Sequence, residues 1–374
     1  MERKKNYEKL NIQLSYMSDD ELHKIIDKEQ KKQGWGETSI IEIDKIKIFV
    51  KSIVLTDLEY NNKYDTSNLF NLPLFYNYGI GSAGINCWRE LLMHKKTTQY
   101  VLSGQCVNFP LLYHYRIIET KPKKIYFTLK KFKKWDSNKN IKEYMRCKSK
   151  TKYRILLLIE YFFPKLASAW FLEDSNNLSS FYNQGFKIIN FLNSKNIIHF
   201  DSHSGNFVVD INNNIYLTDY GLVLDKDFNL SDKELTFYND NKYYDYGLLC
   251  YVSIRHLRTI TSLKKQFYKD KLNIIYNAEN TDIEAIVNII LTNYNFIFEH
   301  EKIKKPNKLS DIIEIAKIYS NFIKLIRNNN KKNNIFPNNQ IQLVLGKTKI
   351  LEKTKTKTNN KTKTNNKTKK KLYI

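Results

Sequence analysis

The chain has 374 residues, 42% hydrophobic and 14% aromatic, with a formal net charge of +24. That length supports one large domain or two smaller folded units, each with its own core, so a wholly disordered chain is excluded. None of the four cysteines (Cys87, Cys106, Cys147, Cys250) lies in a Cys-x-x-Cys pair, which argues against a zinc site or a disulfide framework and fits a reducing compartment.

Met1 to Lys9 is charged and lacks an apolar core, so it is not expected to be a signal peptide. Ser18-Asp19-Asp20-Glu21 reads as a capping box opening a short helix through Ile26. Gly34-Trp35-Gly36-Glu37-Thr38 follows, and then Ile40 to Ile43 and Ile46 to Ile53 alternate as strands around an Asp44-Lys45 turn. Gly79-Ile80-Gly81-Ser82-Ala83-Gly84 precedes a helix predicted from Asn86 to about Thr98. Leu111 to Ile118 and Arg154 to Ile159 read as strands, and the Lys-rich residues 119–150 between them read as an insertion. The greasiest run, Ile155 to Phe163, contains Glu160 and is too short to span a bilayer, so no transmembrane segment is expected.

Phe181 to Ser194 has helical spacing, with Phe181, Ile188, Ile189 and Leu192 on one face. Short apolar strands at Ile197–Ile198, Phe207–Val209 and Ile215–Leu217 surround the turn Asn212-Asn213-Asn214, and helical segments run from Tyr243 to Arg327. Strands first and helices later suit an α+β protein. Eleven lysines against Glu352 give residues 347–371 a net +10 and too few apolar side chains to fold, so a disordered tail is expected. Such a tail is either simply solvated or weakly attached to nucleic acid or another polyanion.

The chemistry concentrates in His199-Phe200-Asp201-Ser202-His203-Ser204-Gly205-Asn206, followed after a strand, turn and strand by Asp219-Tyr220-Gly221. Phosphoryl transfer needs a carboxylate beside the attacking hydroxyl and oxygen ligands for Mg²⁺. A hairpin between the two motifs would bring such groups to one ion. Asp and Asn are also ordinary turn residues in an Asn-rich chain, and Asp-Tyr-Gly alone would carry no information. The pair of motifs at this spacing resembles the protein-kinase pattern His-x-Asp-x-x-x-x-Asn followed by Asp-Phe-Gly.

The resemblance implies a two-lobed protein-kinase-like fold, a mainly β N-lobe and a mainly α C-lobe, using ATP and Mg²⁺. It implies Asp201 as base, Asn206 and Asp219 as metal ligands, and His199 as a structural residue under the metal-binding loop. Lys51, in Ile48-Phe49-Val50-Lys51, would grip the α- and β-phosphates and pair with Glu90. Gly34, Gly36 and Thr38 would form a shortened phosphate loop, Glu160 and Phe162 the adenine hinge, and Asp245 either a bond to the catalytic-loop backbone or an ordinary helix N-cap. Lys51 and Glu90 alone would be ordinary surface residues; their order along the chain raises their weight. A rival assignment puts the phosphate loop at Gly79–Gly84 with Lys130, leaving little chain for the helix and strand needed before the hinge. The same string could instead be a lid over the nucleotide.

The expected divisions are an N-terminal helical extension (1–29), an N-lobe with insertions (30–163), a C-lobe (164–330) and a basic low-complexity tail (331–374). The chain resembles the divergent serine/threonine protein kinases of large DNA viruses, which implies a cytoplasmic or virion location. Three departures matter: Phe200 stands where an Arg is usual, His203 stands where Lys is usual, and no proline lies between Pro164 and Pro306. The last removes the Ala-Pro-Glu element of a peptide platform. A kinase acting on protein, a small-molecule phosphotransferase of the aminoglycoside- or choline-kinase type, and a pseudokinase scaffold therefore remain distinct readings.

Overall fold

The protein is described from a computed structural model over residues 2–27, 37–162, 165–174, 176–275, 283–328 and 334–346. Helices α1 (Glu2–Tyr16) and α2 (Asp19–Asp27) come first. The Ser18 Oγ accepts the Glu21 amide at 3.3 Å while Glu21 Oε2 accepts the Ser18 amide at 2.8 Å, the reciprocal pair expected of a capping box. Strands β1 (Glu37–Ile43) and β2 (Ile46–Leu55) join through Asp44 and Lys45, both at positive φ, as a two-residue hairpin turn demands. With β3 (Leu112–Glu119) and β4 (Tyr153–Glu160) they form an antiparallel sheet in the order β1-β2-β4-β3.

Alternation along β2 explains how the sheet is covered. Ile48 and Val50 face Leu10, Leu14, Leu22 and Ile26 of α1 and α2. Ile53 and Leu55 face Trp88 and Leu91 of a later helix, Cys87–Leu102. Lys51 shares the parity of Ile53, so it projects toward that helix. Between β2 and this helix lie α3 (Asp57–Asn61), a 3₁₀ turn at Leu74–Asn77 and an extended strap; Cys87–Leu102 is α4. Asn86 caps α4 by accepting the Trp88 amide at 2.9 Å, which fixes the helix start and so the direction in which Glu90 points. The expected insertion carries two helices, α5 (Leu129–Lys134) and α6 (Lys139–Lys150).

The rest is mostly helical: α7 (Ala167–Glu173), α8 (Asn177–Ser194), α9 (Asp232–Asp240), α10 (Tyr244–Leu263), α11 (Lys265–Leu272), α12 (Ile283–Thr292), α13 (Tyr294–His300) and α14 (Leu309–Asn328). Short strands β5 (Lys165–Leu166), β7 (Phe207–Val209) and β8 (Ile215–Leu217) form one small sheet, and β6 (Ile197–Ile198) pairs with β9 (Leu224–Asp225). A helical majority with small, wholly antiparallel sheets makes this an α+β chain. No helix among the described residues is long and apolar enough to cross a membrane.

One expectation needs correcting. A low-complexity tail is expected from residue 331, but residues 338–346 are helical, and Phe336, Ile341 and Val344 are buried with Tyr244, Tyr319 and Phe322. Burying these apolar side chains outweighs the polar composition around them. The repetitive part of the tail, from Lys347 on, lies outside the described residues.

Candidate active site

Lys51 stands at the centre. Its Nζ lies 2.6 Å from Glu90 Oε1 and 2.8 Å from Asp219 Oδ1, joining β2, α4 and the segment after β8. Burial alone would strip the ammonium of its proton, but Asp219 and Glu90 hold it on and raise its pKa. Burial would likewise raise Asp219, yet the charge and hydrogen bond of Lys51 bring it down to about 2. Glu90 moves the other way, since burial and the nearby Asp219 outweigh the single ammonium it shares.

Asp201 and Asn206 meet this group from the loop between β6 and β7. Asn206 Nδ2 donates to the Asp201 carbonyl at 2.8 Å and to Asp201 Oδ2 at 3.0 Å. The Asn206 carbonyl accepts the Thr218 amide at 2.8 Å, tying the loop to the residue before Asp219. Burial raises Asp201, and the charge of Asp219 adds to it, against opposing pulls from His203 and Asn206. His203 Nε2 lies 3.7 Å from Asp201 Oδ1.

The loop is held from beneath. Asp245, at the start of α10, accepts the amides of His199 (2.6 Å) and Phe200 (3.0 Å) and the Ser202 hydroxyl (3.1 Å). Burial pushes its carboxyl up to about 6 despite these donors. His199 is wholly buried, bonds the Thr218 carbonyl through Nε2 at 3.1 Å, and is pushed down to about 4 by burial. Phe200 and Asp219 both adopt left-handed backbone, φ 62° and 63°. For a bulky Phe this is an outlier that persists only where the surroundings over-determine it. Here they do: its amide is held by Asp245, and its ring is buried among Tyr78, Phe237 and Tyr244.

Gly34 and Gly36 lie outside the described residues. Thr38 pairs directly opposite Lys51 across β1 and β2. Lys130 is exposed on α5, whereas Lys51 holds both carboxylates. At the end of β4, the Glu160 amide donates to the Leu111 carbonyl at 2.8 Å, which removes it as a donor to a base. Phe162 stacks on Tyr216 with centroids 3.9 Å apart.

Three features escaped sequence reasoning. Arg3 of α1 forks onto Glu160 at 2.8 and 2.7 Å, bonds the carbonyls of Val107 and Phe109, and lies over the rings of Phe162 and Tyr216. Arg89, beside Glu90, forms a fully buried ion pair with Glu234 of α9 at 2.6 Å. The strap carrying the second glycine string lies on the loop of Asp201. A Cβ at Gly79 would come within 2.6 Å of Asp201 Oδ1, and one at Gly84, which sits at φ +77°, would overlap the Gly221 carbonyl. Asn77 Nδ2 donates to the Leu222 carbonyl at 2.8 Å, and Lys134 Nζ to the Ile80 carbonyl at 2.5 Å. The glycine string was the only sequence signal for any of these; the ionic partners are too distant along the chain to leave one.

Asp219 and Asn206 are the oxygen donors that would hold a Mg²⁺ here. Among the described residues no group of three or more His, Cys, Asp and Glu side chains forms a metal cage. Mg²⁺ is instead held by one or two carboxylates together with phosphate oxygens and water. Asp219 keeps 45% of its side chain exposed, and Asn206, its amide nitrogen committed to Asp201, has its oxygen to offer. Three carboxylates against one ammonium leave an excess of negative charge that a dication would offset. Cavities of about 740 and 560 Å³ share the Glu119–Pro122 edge and include none of these groups. At the site itself Gly79 lies against Asp201 and Gly84 against the Gly221 carbonyl. No protein-family model matches this chain, and no curated protein matches it.

Proposed function

We propose that the chain is an ATP-dependent phosphotransferase with a two-lobed protein-kinase-like fold, acting as a serine/threonine protein kinase. In this reading residues 30–163 form the N-lobe and 164–330 the C-lobe. The observation that carries it is the meeting of Lys51, Glu90 and Asp219 with the Asp201–Asn206 pair, groups from four separate stretches of chain.

ATP with Mg²⁺ supplies the transferable γ-phosphoryl group and neutralises charge on the phosphates. Lys51 holds the α- and β-phosphates, and Glu90 keeps the ammonium extended into the cleft. Asp219 and Asn206 hold the cation. Asp201 orients the acceptor hydroxyl and takes its proton, and Asn206 fixes that carboxylate in place. Asp245 prevents the loop from relaxing out of its strained backbone.

A second reading, a small-molecule phosphotransferase, is favoured by His203 beside Asp201 and by α9 beginning at Asp232, soon after Asp219. Purified chain with γ-labelled ATP separates the two: label in a casein-like protein but not in small amines or alcohols supports the kinase. Asp201→Asn and Asp219→Ala are expected to lower turnover about 10²- to 10⁴-fold with the fold intact. Wild-type rates from either variant, or no Mg²⁺-dependent nucleotide binding by the wild type, would leave a scaffold as the better description.

A further inference from the structure

The net charge of +24 is not spread evenly. Between Lys121 and Lys150, eleven lysines and Arg146 stand against Asp136 and Glu143, a net +10 in thirty residues. Residues 347–371 carry another +10, which leaves +4 for the whole remainder of the chain. The first of these concentrations is held on a folded surface beside the candidate active site.

Its backbone is firmly seated. Trp135 is buried and packs edge-on against Tyr76 at 4.7 Å, Tyr144 packs against Phe70 at 4.8 Å, and Ile141 and Met145 enter the main core. The Ile125 amide is held by Ser149 Oγ at 2.9 Å, and Asn140 Nδ2 reaches the Asn71 carbonyl at 2.8 Å. With Trp135, Ile141, Tyr144 and Met145 turned inward, Lys130, Lys131, Lys133, Lys139 and Lys142 are exposed. Exposed Tyr126 (70%) and Leu129 (66%) lie among them. From this face the site is two contacts away: Lys134 bonds the Ile80 carbonyl on the strap, and the adjacent Gly79 lies against Asp201.

We infer that the lysine face of α5 and its flanks is the docking surface for an acidic segment of the protein that presents the acceptor hydroxyl. This rests on the phosphotransferase reading above. The catalytic cleft itself carries excess negative charge from Asp201, Asp219 and Glu90, so it repels an acidic substrate. A cationic surface one layer away reverses that repulsion and draws the substrate to the Asp201 side of the strap. The occupant is a polypeptide and not a nucleic acid, because the face borders the carboxylate assigned to the acceptor hydroxyl.

The test uses the full chain with matched serine peptides bearing acidic, neutral or basic flanks. Fluorescence anisotropy reads binding, and phosphate incorporation from ATP reads transfer. Acidic peptides are expected to bind at least tenfold more tightly than neutral ones at low salt, with the difference collapsing as salt rises. The triple replacement Lys130→Glu, Lys131→Glu and Lys133→Glu should raise KM for the acidic peptide at least tenfold and leave kcat unchanged. The milder Lys→Gln set at the same positions should give a smaller shift in the same direction. Equal binding of the three peptides, or a KM unmoved by the triple replacement, would overturn the docking surface. So would single-stranded DNA that binds through these lysines without competing with the acidic peptide. Transfer without an acidic preference would refute the surface and leave the phosphotransferase standing; lysine-dependent binding with no transfer to any peptide would do the reverse.

Discussion

Removing the Glu234 carboxylate should strongly destabilise the protein, and should loosen the candidate active site as it does so. Arg89 and Glu234 are each 2% exposed and meet at 2.6 Å. Glu234 Oε2 meanwhile serves the capping box of α9, accepting the Ser231 amide and hydroxyl, both at 3.0 Å. Arg89 Nε donates to the Thr66 carbonyl at 2.8 Å, but its Nη1 is buried with no hydrogen-bond partner. Burial already lowers the pKa of this guanidinium, and Glu234 is its main counterweight. Glu234→Ala therefore leaves a buried cation uncompensated, a cost of about 3–5 kcal/mol. Urea denaturation followed by circular dichroism reads the loss directly. Replacing both partners, Arg89→Met with Glu234→Leu, should return most of it, because an apolar pair of similar volume has no charge to desolvate. Since Glu90 follows Arg89, the single variant should also weaken nucleotide binding through Lys51. A loss under about 1 kcal/mol, or a double variant no better than Glu234→Ala, would refute the claim that this pair carries the α4–α9 contact.

Gly79→Ala should cut turnover by about 10²-fold through displacement of the Asp201 carboxylate, with circular dichroism unchanged; wild-type turnover would mean the strap yields freely. Arg3→Ala removes the fork onto Glu160 and should cost about 2 kcal/mol in a melting or urea experiment, as expected for charge-assisted bonds at a partly buried site. Faster amide exchange confined to residues 160–162 would locate the effect, and an unchanged midpoint would dismiss the staple. His256 is buried against Phe171 and pushed down to about 4 by that burial. Its unfolded form takes up a proton first as pH falls, so the stability it confers is whole above about pH 6.5 and is lost toward pH 4, about 3 kcal/mol in all. His94 and His199 act in the same direction, while the raised carboxyl of Asp245 opposes them near pH 6. His256→Phe should flatten the acid limb of the stability–pH curve by about one proton; an identical limb would assign the acid sensitivity elsewhere.

Local physics explains which parts could be read in advance. The hairpin at Asp44-Lys45, the capping box at Ser18, the strand of Lys51 and the helix of Glu90 all announce themselves within a few residues, through turn chemistry, caps and alternation. Lys-rich composition masks the buried face of Ile141, Tyr144 and Met145, so the insertion shows no helical pattern in its sequence. Phe336, Ile341 and Val344 are likewise too few to stand out against Asn and Lys. Arg3–Glu160 and Arg89–Glu234 span 157 and 145 residues, so no window of sequence holds both partners.

These long-range contacts bear on the same few atoms. Arg3 braces the end of β4, Arg89 braces the start of α4, Asp245 braces the loop of Asp201, and the glycine strap lies across that loop. Phe200 fills the place of an expected Arg and is packed in aromatic rings, so the loop before Asp201 carries no cation for a phosphate to engage. Glu234, a carboxylate built into the chain, already occupies the cation next to Glu90. An anion delivered by modification would have to displace it from a buried pair at the cost of several kcal/mol. The Lys51–Glu90 contact is thus assembled by folding itself, and treatment of the wild type with a phosphatase should leave its turnover unchanged.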